Sequence, residues 1–262
     1  MKPLIEKNLP EIKNKLKPLG YSISNPMANG EGKYGVAFEL PGGKVLKITT
    51  DELEAKNNAA LKVAKLKHVV QVFRVFALKS FPGVYFSELE KVDPLGSQEK
   101  SIMKMYRYYL QNFDVFVKQF KKLPKTLDTI QTDDKDLLES LSLIRKNKNK
   151  FTPMSLGVLL HAVKKDVYSG SLLVEEALDA PDFFNQLWES LEEFNKKGLA
   201  ALDLHSGNAG KKGKILKFFD FGHSSFVPGP KKIEPIDAGL IRKLNKKGYR
   251  TLGLQLLKLN KN

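Results

Sequence analysis

Asp203 and Asn208 stand five residues apart in Ala201-Leu202-Asp203-Leu204-His205-Ser206-Gly207-Asn208, a segment too rich in Gly, Ser and Asn for a helix interior. An apolar run, Ile215-Leu216-Lys217-Phe218-Phe219, leads directly into Asp220-Phe221-Gly222. That run has strand character, so the pattern predicts one β-hairpin with a polar cluster at each end. Such a hairpin brings two carboxylates and a carboxamide together. A carboxylate that takes a hydroxyl proton, with an amide and a second carboxylate holding Mg²⁺, is what phosphoryl transfer from ATP requires.

In this order the residues resemble the protein-kinase superfamily, whose catalytic loop reads His-Arg-Asp-x-x-x-x-Asn and whose metal motif reads Asp-Phe-Gly. The resemblance implies an α+β, two-lobed protein-kinase-like fold. Its N-lobe is a five-stranded antiparallel sheet plus one helix, its C-lobe is mostly helical, and ATP binds between the two. It makes Asp203 the base, and Asn208 and Asp220 the Mg²⁺ ligands. Upstream, Gly30, Gly32 and Gly35 match Gly-x-Gly-x-x-Gly, and glycine lets backbone N–H groups come close to phosphates. A strand follows them, whereas a dinucleotide-binding fingerprint needs a helix there.

Lys47 falls inside the apolar strand Val45-Leu46-Lys47-Ile48, where an ammonium needs an anionic partner or an exposed face. By resemblance it is the lysine that grips the α- and β-phosphates. Val36 and Val45 belong to the same nucleotide site, with Val45 packing on adenine. Thr49-Thr50-Asp51 is a good N-cap for a helix over Asp51–Lys67. The glutamate that pairs with Lys47 in a kinase must come from this helix. Glu52 and Glu54 are the candidates, and Glu54 shares a face with Asn58 and Leu61. Glu88-Leu89-Glu90 then corresponds to the crossover between lobes, whose backbone hydrogen-bonds adenine.

Some positions depart from the family pattern. Ala201 and Leu202, not His-Arg, precede Asp203, so there is no arginine to answer an activation-loop phosphate. His205 stands where protein kinases carry Lys. Asp-Leu-His-x-Gly-Asn is closer to the aminoglycoside- and choline-kinase branch and to atypical microbial kinases. The resemblance supports an ATP- and Mg²⁺-dependent kinase, in the first instance an atypical Ser/Thr protein kinase of microbial, phage or secreted-effector type. The alternatives are a small-molecule kinase of aminoglycoside or choline type and a non-catalytic module with a basic surface. An aminoglycoside or choline site needs acid for a cationic acceptor. Glu234 and Asp237 are the only carboxylates after Gly222, which tilts the expectation toward a protein substrate.

The remaining elements must position this set. Residues 1–20 read as a helical extension, broken or restarted at Pro10 and ended at Gly20. Residues 21–92 read as the small lobe, with strands at Tyr21 and Ile23, on both sides of the glycines, at 44–48, 68–76 and 84–89. Residues 93–262 read as the large lobe, without strands before Lys197. It has helices at Ser97–Lys122, Ser155–Ser169 and Asp182–Lys197, an exposed connection at 123–150, the catalytic loop at 201–208 and Asp-Phe-Gly at 220–222. Closing helices are expected within Asp237–Lys258.

At 262 residues, with 42% hydrophobic and 28% charged residues, the chain can bury a substantial core. It has no cysteine, which excludes disulfides and thiolate metal sites. No segment approaches the roughly 20 apolar residues of a membrane span. A cytoplasmic location is expected, in a host cytoplasm if the protein is a phage or secreted one. The net charge of +15 suits ATP and acidic partners. Its carriers are 39 lysines and only 5 arginines, which argues against nucleic acid as the main partner, because base and phosphate recognition favours guanidinium.

Overall fold

The computed structural model describes residues 2–110, 131–152, 155–157, 159–160, 163, 170–201, 203–226 and 235–236. They form two compact units. The first holds residues 1–92 and 197–201 with the described residues from 219 onward; the second holds 93–196 and 202–218. The expected lobe at 93–262 is therefore divided, since 197–201 and the Asp-Phe-Gly segment group with residues 1–92.

In the first unit, strands β1 (Pro26–Glu31), β2 (Gly35–Leu40), β3 (Lys44–Thr49), β4 (Val72–Leu78) and β5 (Tyr85–Glu90) form an antiparallel sheet ordered β1-β2-β3-β5-β4. Side chains on a strand alternate between faces. Phe38, Leu40, Leu46, Ile48, Phe76 and Phe86 are buried in one cluster. Helix α1 (Lys2–Leu16) adds Ile5, Ile12 and Leu16, all fully buried, to that cluster.

This packing explains why α1 runs unbroken through Pro10, against the sequence expectation. A proline inside a helix costs about 3 kcal/mol. Burying three large aliphatic side chains contributes roughly 1.5–3 kcal/mol each. The burial wins, and α1 is part of the first unit's core.

Tyr21 and Ile23, expected in a strand, lie before β1 in the chain and are both buried. Gly20, at φ +90°, turns the chain after a 3₁₀ turn at Lys17–Leu19. The Tyr21 ring then stacks on Phe76 with centroids 5.5 Å apart.

Helix α2 (Glu52–Ala64) starts where the N-cap signal put it: the Asp51 carboxylate accepts from Glu54 N–H at 3.1 Å. It ends three residues earlier than expected, at a left-handed Lys65 whose N–H donates to the Leu61 carbonyl.

In chain order, the next elements belong to the second unit. Strand β6 (Asp93–Pro94) pairs with a later strand, so this stretch is not strand-free. Helix α3 (Ser97–Leu110) follows; the rest of the expected helix, with Phe113, Phe116, Val117 and Phe120, lies outside the described residues. Helix α4 (Lys135–Asn147) replaces part of the exposed connection expected at 123–150. Asp134 caps it by accepting from Asp136 and Leu137 N–H, and Leu141 and Ile144 are fully buried. The described positions between 155 and 163 are helical, with Leu156, Leu159, Leu160 and Val163 buried. Helix α5 (Gly170–Asp179) precedes α6 (Pro181–Lys196), whose buried stripe is Phe184, Leu187, Trp188, Leu191 and Phe194.

Gly198, at φ +71°, ends this helical run. Strand β7 (Leu199–Ala201) returns to the first unit. The expected hairpin is present in the second unit as β8 (Ala209–Lys212) and β9 (Ile215–Phe218), antiparallel, with β6 on its outer edge. Gln186 of α6 pins it, donating to the Lys214 carbonyl at 2.9 Å and accepting from Leu216 N–H at 2.7 Å.

Strand β10 (Ser224–Phe226) pairs with β7, and β11 (Pro235–Ile236) adds to β4 in parallel beside Ala77 and Leu78. That sixth strand had no signal in the sequence. The closing helices expected within 237–258 lie outside the described residues. Among the described residues no helix is long and apolar enough to cross a membrane.

Candidate active site

The alternation that buries Leu46 and Ile48 against α1 turns Lys47 to the opposite face of β3, toward α2. There its ammonium pairs with Glu54, in the first turn of α2, and with Asp220 Oδ2 at 3.0 Å. Lys47 is 18% exposed, Glu54 only 3%, and Asp220 42%. Glu52, the other candidate partner, points elsewhere and pairs with Lys56 at 2.7 Å. The Asp51 cap decides between them, because it sets the helix phase that turns Glu54 inward.

Burial alone would depress the Lys47 pKa, but the Glu54 and Asp220 carboxylates outweigh it and hold the ammonium above its ordinary range. Burial pushes the Glu54 carboxyl upward, and the nearby ammonium of Lys47 offsets only part of this. A charged Lys47 with one face toward a half-exposed Asp220 is a ready partner for an anion.

Asp220 has a left-handed backbone, φ +64°, which costs a non-glycine residue roughly 1–2 kcal/mol. Three contacts hold it there. Phe221 is buried at 1% exposure. A Cβ on Gly222 would come within 2.5 Å of Asp51 Oδ2, so only glycine fits against the helix cap. Asn57 of α2, fully buried, donates from Nδ2 to the carbonyls of both Phe221 and Ser224 at 2.8 Å. Sequence reasoning missed Asn57. Its signal was a polar residue three positions after Glu54, on the inward face of a helix. Its neighbour Asn58 donates to Ser87 Oγ at 3.2 Å.

The three glycines do different jobs. Gly30 lies within β1, where a Cβ would sit 2.9 Å from Met27 Cβ and 3.1 Å from the Ala37 carbonyl oxygen. A Cβ on Gly35 would sit 2.6 Å from the Ile48 carbonyl oxygen. Both are required by strand packing. Gly32 has open space, and its N–H closes the turn onto the Gly35 carbonyl at 2.9 Å.

Two nucleotide-site expectations need correction. Val36 is buried on the α1 side, and the residue paired with Lys47 on β2 is Ala37. Period-two alternation places Ala37 and Val45 on the Lys47 face and Val36 on the other. Glu88, Leu89 and Glu90 lie inside β5, paired with Leu46, Val45 and Lys44. The Glu88 carboxylate accepts from Tyr21 OH at 2.8 Å and Lys44 Nζ at 2.7 Å, and Glu90 N–H donates to the Gln71 carbonyl. The crossover therefore begins after Glu90. Burial, together with the Glu88 carboxylate, pushes the Tyr21 phenol strongly upward, so it stays a donor.

The second unit contains the Asp203 loop. Asn208 donates from Nδ2 to the Asp203 carbonyl at 3.0 Å, and Asn208 N–H donates to the His205 carbonyl at 2.9 Å. His205 caps the 3₁₀ turn Ser206–Asn208: its Nδ1 accepts from Gly207 N–H at 3.0 Å. The ring proton is then on Nε2, which faces Asp203 Oδ2 at 3.7 Å. A Cβ on Gly207 would sit 2.8 Å from the His205 ring, so glycine is needed there too. Thus His205 braces the loop, and Asp203, its side chain 40% exposed, is held at its surface. Leu202 lies outside the described residues.

The structure thus brings Lys47, Glu54 and Asp220 together in one unit and Asp203, His205 and Asn208 in the other. No family model and no curated protein sequence matches the chain. Two aminoglycoside phosphotransferases are among the solved structures it is similar to. One is the ternary complex of APH(2")-IIa with streptomycin and ATP, at 14% identity and a TM-score of 0.32, covering 86% of this chain and 72% of that one. The other is an aminoglycoside phosphotransferase from Alicyclobacillus acidocaldarius, at 11% identity and a TM-score of 0.27, covering 91% of this chain and 73% of that one.

Proposed function

We propose that this chain is an ATP- and Mg²⁺-dependent phosphotransferase of protein-kinase-like fold acting on a small-molecule alcohol. The observation that carries the reading is the charge cluster on the inner face of the first unit. A lysine on a central strand is bridged to a buried helix glutamate and to the aspartate of Asp-Phe-Gly. A structural ion pair needs one carboxylate. The second, half-exposed and held in a left-handed backbone, is suited to a ligand.

In this reading Lys47 binds the α- and β-phosphates, and Glu54 holds its ammonium in place. Gly32 keeps the turn between β1 and β2 free of a side chain, its own N–H being spent on the Gly35 carbonyl, Gly30 and Gly35 shape the flanking strands, and Ala37 and Val45 present an apolar surface for adenine. Backbone contacts to adenine fall beyond Glu90. The residues fit Mg²⁺ as well. Asn208 spends its Nδ2 on the Asp203 carbonyl, and its amide oxygen has no partner among the described residues. Asp220 spends Oδ2 on Lys47, leaving its other oxygen. Oxygen donors of this kind suit a hard cation, and Mg²⁺ is usually held by one or two side chains plus substrate phosphates. When bound, Mg²⁺ would neutralise phosphate charge.

Asp203 orients the acceptor hydroxyl and takes its proton. The acceptor oxygen forms a bond to the γ-phosphorus, the bond from that phosphorus to the β,γ-bridging oxygen breaks, and ADP leaves. The loop supports a small-molecule acceptor, because His205 occupies the position of the protein-kinase lysine and is committed to bracing the turn. The protein Ser/Thr kinase reading rests on the acid-poor stretch after Gly222, most of which lies outside the described residues.

Incubation with γ-labelled ATP, Mg²⁺ and separate panels of alcohols and proteins tests the proposal. Label transfer that disappears in Asp203→Asn, with nucleotide binding retained, is the expected result. No transfer to any acceptor, or equal transfer by Asp203→Asn, would refute it.

A further inference from the structure

Beside the Asp203 loop, wholly within the second unit, lies a cavity of about 250 Å³. Helix α3 lines it with Lys100, Ser101, Met103 and Lys104, and the loop with His205 and Ser206. Met103 is 1% exposed and forms an apolar floor. Lys100 and Lys104 stand one helical turn apart and are exposed. Among the described residues neither has a carboxylate partner and no acidic side chain lines the space. The nearest carboxylate on the helix, Glu99, is taken: Lys211 Nζ contacts its Oε1 at 2.6 Å, and Gly96 N–H donates to its Oε2 at 2.8 Å. The cavity therefore offers two uncompensated ammonium groups and two hydroxyls, next to the imidazole that faces Asp203.

A cationic acceptor such as an aminoglycoside or choline would meet like charge here, which disfavours binding. An anion would meet two ammoniums and hydroxyl donors, the partners such a group requires. The volume suits a molecule of monosaccharide size and is too small for a folded protein surface. Resting on the phosphotransferase reading above, we infer that the acceptor is a small anionic alcohol. Lys100 and Lys104 hold its phosphate or carboxylate while its hydroxyl is presented to Asp203.

The test uses the full chain with Mg²⁺ and a non-hydrolysable ATP analogue, titrated by calorimetry with glucose 6-phosphate and, separately, with glycerate. Saturable binding of at least one is expected, weakened by about tenfold or more in Lys100→Glu/Lys104→Glu. Which of the two binds decides between a phosphate and a carboxylate. Both lysines are exposed, so this variant folds, and its affinity for the nucleotide analogue remains that of the parent. In a parallel assay with Mg²⁺-ATP, the bound anionic alcohol accelerates ADP release, and kanamycin, choline and glucose do not. The inference is overturned if kanamycin or choline accelerates ADP release, or if an acidic peptide does so and neither anionic alcohol does. It is also overturned if the parent binds neither compound, or binds them no better than the double variant does. Failure of the phosphotransferase reading looks different: the analogue then binds Lys47→Ala as tightly as it binds the parent.

Discussion

Replacing Asn57 by leucine, which has the same number and branching of side-chain heavy atoms, removes both donors that hold the Asp-Phe-Gly backbone to α2. Each lost hydrogen bond is worth about 0.5–1.5 kcal/mol net, and leaving the Ser224 carbonyl without this donor costs about 1–3 kcal/mol more, whereas the Phe221 carbonyl keeps the Ser224 N–H. The leucine regains some apolar burial, so a net loss of about 2–4 kcal/mol at this contact is expected. The left-handed backbone of Asp220 stores roughly 1–2 kcal/mol against it. The loss therefore exceeds what is needed to let residues 220–224 relax and release Asp220 from Lys47. Two assays read this. Hydrogen exchange at the Ser224 amide, which donates to the Phe221 carbonyl, should accelerate by about 1.5 to 3 orders of magnitude, since about 1.4 kcal/mol is a factor of ten. Affinity for Mg²⁺-ATP should fall by about tenfold or more. Asn58→Ala, which removes a bond to Ser87 alone, is the control and should leave exchange at residue 224 unchanged. Unchanged exchange and unchanged nucleotide affinity in Asn57→Leu would refute the argument.

Other outcomes follow from the same geometry. Glu54→Gln should weaken nucleotide binding and Glu52→Gln should not, because only Glu54 reaches Lys47; equal effects in a binding titration would contradict this. Gly35→Ala should lower stability by about 1–3 kcal/mol in urea unfolding, because its Cβ meets the Ile48 carbonyl at 2.6 Å, whereas Gly32→Ala should leave stability within about 0.5 kcal/mol. The folded-state pKa of Lys47 is raised, so its ion pairs stabilise the fold below the unfolded lysine range and lose that contribution as pH rises through the raised value. Between neutrality and strongly alkaline pH the parent should therefore lose more stability than Lys47→Met does; parallel curves in thermal melts would contradict this.

Much of the site was legible because its chemistry is concentrated in few residues. Asp203, Asn208 and Asp220 bracket a run of strand-forming residues, and hairpin geometry needs little else. Lys47 announced itself as a charge inside an apolar strand, which had to find an anion. The errors came where tertiary contacts override local pattern. Val36 and Ala37 differ by one register step, and both suit a strand, so composition could not say which faces Lys47. Pro10 looked like a break because the burial of Ile5, Ile12 and Leu16 that outweighs it is a long-range term. Asp134 falls within the exposed connection expected at 123–150, although its carboxylate caps α4. Asn57 was hidden for a related reason: an asparagine in a helix reads as surface until the Phe221 and Ser224 carbonyls, more than 160 residues away in sequence, come to it. Glu88–Glu90 was assigned to the crossover by motif order, and only the ladders to β3 and β4 show that the strand continues to Glu90.

Calorimetric titration with a non-hydrolysable ATP analogue, with and without Mg²⁺, in the parent, Lys47→Ala and Asp220→Asn, addresses the Lys47–Glu54–Asp220 cluster most directly. Tight binding that needs Mg²⁺, is lost in Lys47→Ala and loses its metal dependence in Asp220→Asn is the predicted result. Absence of binding in the parent, or affinity indifferent to Mg²⁺ and to both substitutions, would contradict a nucleotide role for these three residues.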